Sequence, residues 1–234
     1  DSASRGLGDV YKRQPDTLTG KNQNVLWVKG SGGDLGSMNL DGFSTLYMDK
    51  LNKLKELYRG LKYEDEMVDY LPHCTFNLNP RAASIDTSLH AFIPNKHVDH
   101  THPDAAIAVA CMKNSKKMTK IIFGEDMAWI EWQRPGFDLG LKLEKIAKSN
   151  PKLKGVILGQ HGLFTWGETS KECYELTLST IQRAADWFEK NKTKEAFGGA
   201  KYKKTLSQFE RIEVASKLMP HLRGKIKTDE YKVG

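Results

Sequence analysis

Three histidines in two short motifs have the types and spacing that could bind a metal ion in this 234-residue chain. His100 and His102 alternate in the segment HVDHTH, and alternate side chains of a strand lie on the same face. Two neighbouring imidazoles supply half of a zinc site, and a catalytic zinc takes three protein ligands and keeps one position open. His161, in the motif GQHG after another predicted strand, is the candidate third ligand. By spacing alone, an HxH pair is more often incidental than metal-binding.

A glycine-rich turn at residues 30–36, GSGGDLG, is a candidate phosphate site because it follows a predicted strand. Backbone amides in such a turn can surround a phosphate, and Ser31 adds a hydroxyl donor. Leu35 stands where a dinucleotide fingerprint needs glycine, and no Gly-Lys-Ser/Thr follows as in a Walker loop. An ordinary tight loop remains the alternative.

A carboxylate, Asp86, follows Ser84 and Ile85 immediately before a short predicted helix. Aspartate at such a position is commonly a helix N-cap. It is also placed to be a general base beside the metal, and spacing alone leaves both roles open. The other histidines are assigned capping, core or solvent-exposed roles: His73, His90, His97 and His221.

Alternating strands and helices would position these side chains, and this alternation predicts a layered α/β domain. Hydrophobic patterning predicts strands at residues 24–29, 97–102, 119–123 and 154–158. It predicts helices at residues 45–58, 63–70, 87–92, 105–112, 138–148, 169–190 and 206–218.

Composition excludes several classes of protein. No apolar run approaches the ~20 residues of a membrane-spanning helix, so no membrane partner is expected. Three cysteines without a CxxC pair indicate a reducing, cytoplasmic compartment. The formal charge is +7, but the lysines are scattered along the chain rather than gathered with aromatic residues into one stripe, and the densest basic stretch lies within residues 192–204. This pattern argues against nucleic acid and suits a small phosphorylated substrate.

The first 14 residues are predicted not to be native. Residues 4–14, SRGLGDVYKRQ, are similar to the translation of a sequencing-library adapter ending in a transposon mosaic end, and we exclude them from fold prediction as a scar. Three basic and two acidic residues lie within residues 1–14, so the formal charge falls only from +7 to +6. The natural N-terminus is therefore expected to be absent.

Taken in order, the motifs SGG, SID followed by SLH, HVDHTHPDA and GQHGLFTWG resemble the class II aldolase/adducin family. More closely, VLWVKGSGGDLGSM, SLHAFIP-x-KHVDHTHPDA and RPGF…LGQHGLFTWG are similar to the aldolase part of the bifunctional rhamnulose-1-phosphate aldolase/alcohol dehydrogenase proteins. The resemblance covers residues 24–224 and implies a three-layer α/β/α domain with a central, mainly antiparallel or mixed sheet.

The resemblance implies roles for seven residues. It implies that His100, His102 and His161 bind zinc. Asp86 takes the position of the catalytic carboxylate, which is usually glutamate in the related sugar-phosphate aldolases. Ser31, Gly32 and Ser84 match positions that hold the substrate phosphate. An Asn-containing phosphate motif is expected before residue 24 and is absent, and the usual proton-donating tyrosine is replaced near Trp132, so no acid is assigned.

The implied activity is that of a zinc-dependent aldolase, a lyase that cleaves a ketose 1-phosphate. The expected substrate is L-rhamnulose 1-phosphate, and the products are dihydroxyacetone phosphate and lactaldehyde. The alternatives are an epimerase or dehydratase with the same zinc site, a non-catalytic adducin-like interaction domain, and an inactive truncated chain. A homotetramer is implied.

The expected domain organisation follows from the same resemblance. Residues 15–23 are a linker, and residues 24–199 are an N-terminally truncated aldolase domain. Residues 200–234 are a helix or linker toward a missing dehydrogenase domain.

Overall fold

The computed structural model describes residues 8–33, 36–192, 199 and 205–227, and a seven-stranded sheet forms its centre. The strands are β1 Gly8–Pro15, β2 Asn22–Lys29, β3 Phe43–Tyr47, β4 His97–Thr101, β5 Met127–Ile130, β6 Gly155–Leu158 and β7 Gly162–Gly167. Their order is β3-β2-β1-β4-β7-β6-β5, and the paired strands are antiparallel except β5 and β6. The sheet is therefore mixed and mainly antiparallel, as predicted.

The helices are α1 Met48–Leu57, α2 Glu66–Asp69, α3 Thr87–Ala91, α4 Asp104–Ala110, α5 Ser115–Phe123, α6 Phe137–Ser149, α7 Ser170–Asn191 and α8 Gln208–Ile226. Short 3-10 turns span Leu40–Gly42, Leu61–Tyr63 and Leu71–Cys74. Among the described residues, no helix has the length and apolar character needed to cross a membrane.

The chain divides into two compact units, Asp1–Asn191 and Lys192–Gly234. The first contains the sheet and every predicted site residue. In the second, α8 begins with a capping box between Ser207 and Glu210, and its side chains are exposed. The predicted lysine cluster at residues 201–204 lies outside the described residues.

Helices cover both faces of the sheet. On one face, Leu143 of α6 shares a buried cluster with Val156 of β6. On the other, Val109 of α4 and Ala184 of α7 share a cluster with Ile157. Neighbouring strand residues thus point into different layers, which is the alternation expected of a sheet buried on both sides. The predicted three-layer α/β/α fold is confirmed.

One predicted strand is wrong, because residues 119–123 belong to α5. Ser115, Thr119 and Phe123 are buried at intervals of four residues, which is the period of a helix. The short apolar run in this segment is equally compatible with either structure. Three strands were also missed: β3 occupies residues assigned to the start of α1, β5 occupies residues for which no strand was predicted, and β7 is buried along its whole length and so shows no alternation.

Strand β1 lies in the segment that sequence analysis set aside as a scar. It pairs with β2 and β4 in the interior of the sheet, with Val10 opposite Trp27 on one side and opposite His97 on the other. The ladder consists of backbone hydrogen bonds, which depend little on residue type. The non-native origin of residues 1–14 stays a prediction.

A buried polar contact fixes α7 against β4. The Thr177 hydroxyl donates to Asp99 Oδ2 at 2.8 Å, and Thr165 of β7 lies 2.6 Å from the same hydroxyl. Asp99 alternates with His100 along β4, so this contact holds the strand from the face opposite the predicted metal ligand.

Candidate metal centre

Three strands bring the predicted metal ligands together. In the ladder between β4 and β7, His100 lies opposite Phe164 and Thr101 opposite Leu163, which places His102 beside the start of β7. His161 is in the tight turn that joins β6 to β7. The spacing of the HxH pair predicted one strand, but the approach of His161 depends on long-range pairing.

Two backbone hydrogen bonds to neighbouring segments hold the turn that carries His161. Gly159 N donates to Ile130 O at 2.8 Å, and Gln160 N donates to Ala110 O at 3.0 Å. Gln160 has φ 57°, the left-handed conformation that lets the chain reverse in so few residues. These contacts fix where the His161 ring stands.

His100, His102 and His161 form one cluster. One ligand atom from each lies within 4.8 Å of the others. The ring centroids of His100 and His102 are 4.5 Å apart, and His161 lies 5.0 Å from each. The predicted triad is therefore brought together within reach of a single ion.

Two contacts orient the His100 ring. It stacks on Phe164 with centroids 4.0 Å apart and an interplanar angle of 6°. Its Nδ1 lies 3.0 Å from Leu163 O, and because a carbonyl only accepts, Nδ1 carries the proton. Nε2 is then the unprotonated nitrogen, and it is buried without a hydrogen-bond partner among the described residues.

Burial lowers the pKa of two of these imidazoles. Burial lowers the pKa of His100 well below its ordinary value, and the neighbouring His90 adds to this effect. Burial and His102 also lower the pKa of His161, against a raising effect of the Asp86 charge. A neutral imidazole is the form that binds a metal.

The site suits a zinc ion by the chemistry of its donors. Three imidazoles are a known zinc ligand set, which leaves a fourth position for substrate or water. Two buried ring nitrogens, His100 Nε2 and His161 Nδ1, have no partner among the residues that the structure describes. Buried polar atoms without partners are rare in folded proteins, and a metal would satisfy the ligating nitrogen.

Asp86 stands at the N-cap position of α3, but its carboxylate makes no capping hydrogen bond. Its backbone amide donates to Ser84 Oγ at 3.2 Å, and Ser84 Oγ lies 3.5 Å from Asp86 Oδ2. The Asp86 charge raises the pKa of His161, so the carboxylate lies close enough to this histidine to act on it electrostatically. The side chain is half-buried and available to a ligand.

The glycine turn after β2 packs against the segment that precedes Asp86. Ser31 N donates to Ala82 O at 3.2 Å, two residues before Ser84. Gly32 and Gly33 have φ 71° and 81°, a conformation that favours glycine. Within the described ranges, the amides of these two glycines have no recorded acceptor. Ser31 and Ser84 thus belong to adjoining segments beside Asp86.

Two cations that no sequence motif identifies lie at this turn. Arg81 Nη2 donates to Ser31 O at 2.8 Å and to Gly32 O at 3.3 Å. Lys29 Nζ donates to Gly32 O at 2.8 Å and to Gly30 O at 3.3 Å. No sequence spacing identifies Arg81, because its approach depends on the packing of residues 79–84 against the turn.

Trp132, near which the usual proton-donating tyrosine is replaced, lies in an exposed segment after β5.

Comparison with known proteins gives consistent matches. Residues 13–187 match the class II aldolase and adducin N-terminal domain family. The uncharacterized oxidoreductase YuxG of Bacillus subtilis is 40% identical over 229 residues, which are 97% of this chain and 33% of that protein. The chain thus spans about a third of the length of this curated relative.

Solved structures share the fold. The N-terminal class II aldolase domain of a conserved protein from Thermoplasma acidophilum aligns with a TM-score of 0.70 and 30% identity, over 77% of this chain and 82% of that one. A structure of L-fuculose 1-phosphate aldolase aligns with a TM-score of 0.51 and 12% identity, over 91% and 85% of the two chains. At that identity the second likeness concerns the fold alone.

Proposed function

The chain belongs to the class II aldolase and adducin family, and we propose that it is a zinc-dependent aldolase that cleaves a ketose 1-phosphate to dihydroxyacetone phosphate and an aldehyde. The observation that carries the proposal is the convergence of His100, His102 and His161 next to the uncapped carboxylate of Asp86. A purely structural domain has no need for three clustered imidazoles, two of which carry buried ring nitrogens without a partner among the described residues, and this argues against the adducin-like alternative.

In the proposed reaction, His100, His102 and His161 hold the metal. When bound, zinc would act as a Lewis acid that stabilises the negative charge left on the three-carbon fragment as the carbon–carbon bond breaks. The imidazoles are neutral, so they leave the charge of the ion undiminished. Phe164 and Leu163 keep Nε2 of His100 directed for ligation.

Asp86 would move the proton at the carbon of the dihydroxyacetone phosphate fragment. A general base must lie within hydrogen-bond reach of the proton that it transfers, and the half-buried Asp86 carboxylate lies close enough to His161 to raise its pKa. The Asp86 amide and Ser84 Oγ contact each other, which restricts the loop that carries the carboxylate.

Ser31, Gly32 and Ser84 would bind the phosphate. The turn of residues 30–33 and the segment of residues 82–84 are joined by the Ser31 N to Ala82 O hydrogen bond, so donors from both can reach one phosphate. Anchoring a group remote from the reacting carbon fixes the orientation of the substrate.

The proposal extends to the identity of the substrate, a further domain, the cellular location and the oligomeric state. The motif resemblance supports L-rhamnulose 1-phosphate as the substrate, which gives lactaldehyde as the aldehyde. The oxidoreductase name and greater length of the Bacillus subtilis relative support a dehydrogenase domain beyond residues 200–234. Three free cysteines support a cytoplasmic location, and a homotetramer is proposed from the family resemblance.

The proposal is tested by metal analysis together with an assay for dihydroxyacetone phosphate. The parent should contain one zinc per chain and cleave rhamnulose 1-phosphate, whereas His100→Ala should lose both properties. His73→Ala is the matched control, because His73 is exposed and lies outside the cluster.

Two outcomes would contradict the proposed aldolase function. Stoichiometric zinc without cleavage of any ketose phosphate would exclude the aldolase activity and favour an epimerase or dehydratase. A folded parent without metal would favour the adducin-like domain.

A further inference from the structure

Arg81 lies across the glycine turn of residues 30–33, with its side chain packed against the backbone of the turn. A Cβ atom added at Gly30 would lie 2.5 Å from Arg81 Cγ and 2.5 Å from Nε, so the arginine stem occupies the space of the absent side chain. Its Nη2 donates to two carbonyls of the turn. The guanidinium is therefore fixed to the turn that is proposed to bind phosphate.

The guanidinium has unused donor capacity. Arg81 Nε is buried and has no hydrogen-bond partner among the described residues. Other arginines are paired with carboxylates: Arg59 with Glu66 and Arg134 with Asp65. For Arg81, by contrast, no carboxylate lies within salt-bridge distance in the described part of the chain. A buried charged donor without an acceptor is costly, which indicates that a ligand supplies the acceptor.

Lys29 gives the turn a second positive charge. Among the residues that the structure describes, its Nζ also bonds only backbone carbonyls, those of Gly30 and Gly32. A phosphate monoester carries about two negative charges at neutral pH, which matches the two cations. A neutral sugar would leave both cations uncompensated.

We propose that Arg81 determines specificity for phosphorylated substrates by donating to the substrate phosphate while it braces the turn. The inference rests on the proposed function, since it names the group that recognises the phosphate of that substrate. Arginine forms directed, often bidentate hydrogen bonds with phosphate, which a lysine in the same place reproduces only as a point charge.

Phosphate binding is measured directly, by titrating inorganic phosphate into the zinc-loaded protein in a calorimeter. Arg81→Gln retains a polar stem over Gly30 and removes the charge, and it should weaken phosphate binding at least tenfold with zinc content unchanged. Arg134→Gln is the matched control because it removes a paired surface arginine, and it should bind phosphate like the parent. Arg81→Lys should fall between the parent and Arg81→Gln.

A second readout compares substrates. In Arg81→Gln, KM for the ketose 1-phosphate should rise at least tenfold, and this rise should exceed any loss of activity toward the unphosphorylated ketose. The inference is overturned if the parent does not bind phosphate, if Arg81→Gln binds it within twofold of the parent, or if both ketoses lose activity equally. Should Arg81→Gln fail to fold, unaltered phosphate binding by Arg81→Lys would overturn it.

The two proposals fail in different ways. Phosphate binding that depends on Arg81 in a protein that cleaves no ketose phosphate would reject the aldolase activity and support the role of Arg81. Cleavage of the ketose phosphate with no dependence on Arg81 would support the aldolase activity and reject the role of Arg81.

Discussion

The orientation of individual side chains decides what the histidine cluster can do. His100 stacks on Phe164 and donates through Nδ1 to Leu163, so Nε2 is the unprotonated nitrogen before any metal arrives. A ligand whose tautomer and rotamer are already fixed loses less entropy on binding, so metal affinity is higher. The residues that prepare the site therefore include Phe164 and Leu163, which carry no metal-binding group.

Asp86→Asn separates catalysis from metal binding. The substitution removes the base and preserves the shape of the side chain, so zinc content should match the parent while turnover falls ~100-fold or more, the usual contribution of general acid–base catalysis. Metal analysis and the dihydroxyacetone phosphate assay on the same preparation provide the measurement.

Asp69→Asn is the control, because Asp69 is exposed on α2. It should leave both quantities unchanged. Normal turnover in Asp86→Asn would remove Asp86 from the mechanism, and loss of zinc would show that the carboxylate contributes to metal binding instead.

Part of the candidate site was predictable from residue types and part was not. Alternation in HVDHTH predicts a strand over residues 97–102 with His100 and His102 on one face, and in the structure β4 ends at Thr101, one residue before His102. The GQHG motif makes His161 the candidate third ligand, but spacing cannot show that it reaches the pair, because the pairing of β4 with β7 joins residues about 60 positions apart. Arg81 was missed since it bonds to backbone carbonyls, which no residue pattern reports.

At the scale of elements, the β6–β7 hairpin is the part of the fold that the metal site depends on most. Leu158 lies opposite Gly162, so only three residues form the turn that carries His161. A Cβ atom at Gly162 would lie 2.5 Å from His102 Cδ2 and 2.9 Å from Thr101 O. The absence of a side chain here lets His102 reach the cluster.

Gly162→Ala should therefore damage the metal site. The added methyl displaces the His102 ring, and we expect zinc affinity to fall ~10-fold or more, the scale seen when supporting residues of a metal site are altered. Competition with a chromophoric chelator measures this affinity. Gly224→Ala is the control, because a Cβ there meets nothing within 4 Å, and it should bind zinc like the parent.

Gly155→Ala distinguishes a local effect from general loss of the sheet. Its Cβ would lie 2.3 Å from Phe164 O, so it should lower stability. If Gly162→Ala binds zinc as tightly as the parent, or loses zinc only as much as Gly155→Ala at equal stability, the role of Gly162 is contradicted.

Helices with one buried face have a clear hydrophobic period and were predictable, whereas a strand buried on both faces was not. The helices α6 and α7 lie within one or two residues of the predicted bounds because each has one buried face. Strand β7 was missed because all six of its residues are buried, which removes the alternation that identifies a strand. Residues 119–123 were assigned to a strand because a short apolar run fits either structure, and tertiary packing makes them helical.

For the whole molecule, burial on both faces of the sheet places titratable groups in apolar surroundings with consequences for pH dependence. Burial and the charge of Asp99 raise the pKa of the Cys173 thiol far above its ordinary value, and burial also raises that of Cys74. Cys111, by contrast, is exposed. The native chain thus keeps thiol protons that the unfolded chain releases in alkaline solution.

Stability should accordingly fall as pH rises above the ordinary thiol pKa of about 8.5. Above that pH the unfolded state binds fewer protons than the native state, so the free energy of unfolding decreases by up to about 1.4 kcal/mol per pH unit for each fully protected thiol. The contribution is complete below the unfolded pKa and is lost progressively toward the raised native value.

Denaturant titrations between pH 8 and about 10.5, under reducing conditions, measure the slope of the free energy of unfolding against pH. Cys173→Ala should make the slope shallower, because it removes one protected proton. Cys111→Ala is the control and should leave the slope at the parent value. Equal slopes in all three proteins would show that the Cys173 thiol ionises as readily in the folded chain as in the unfolded one.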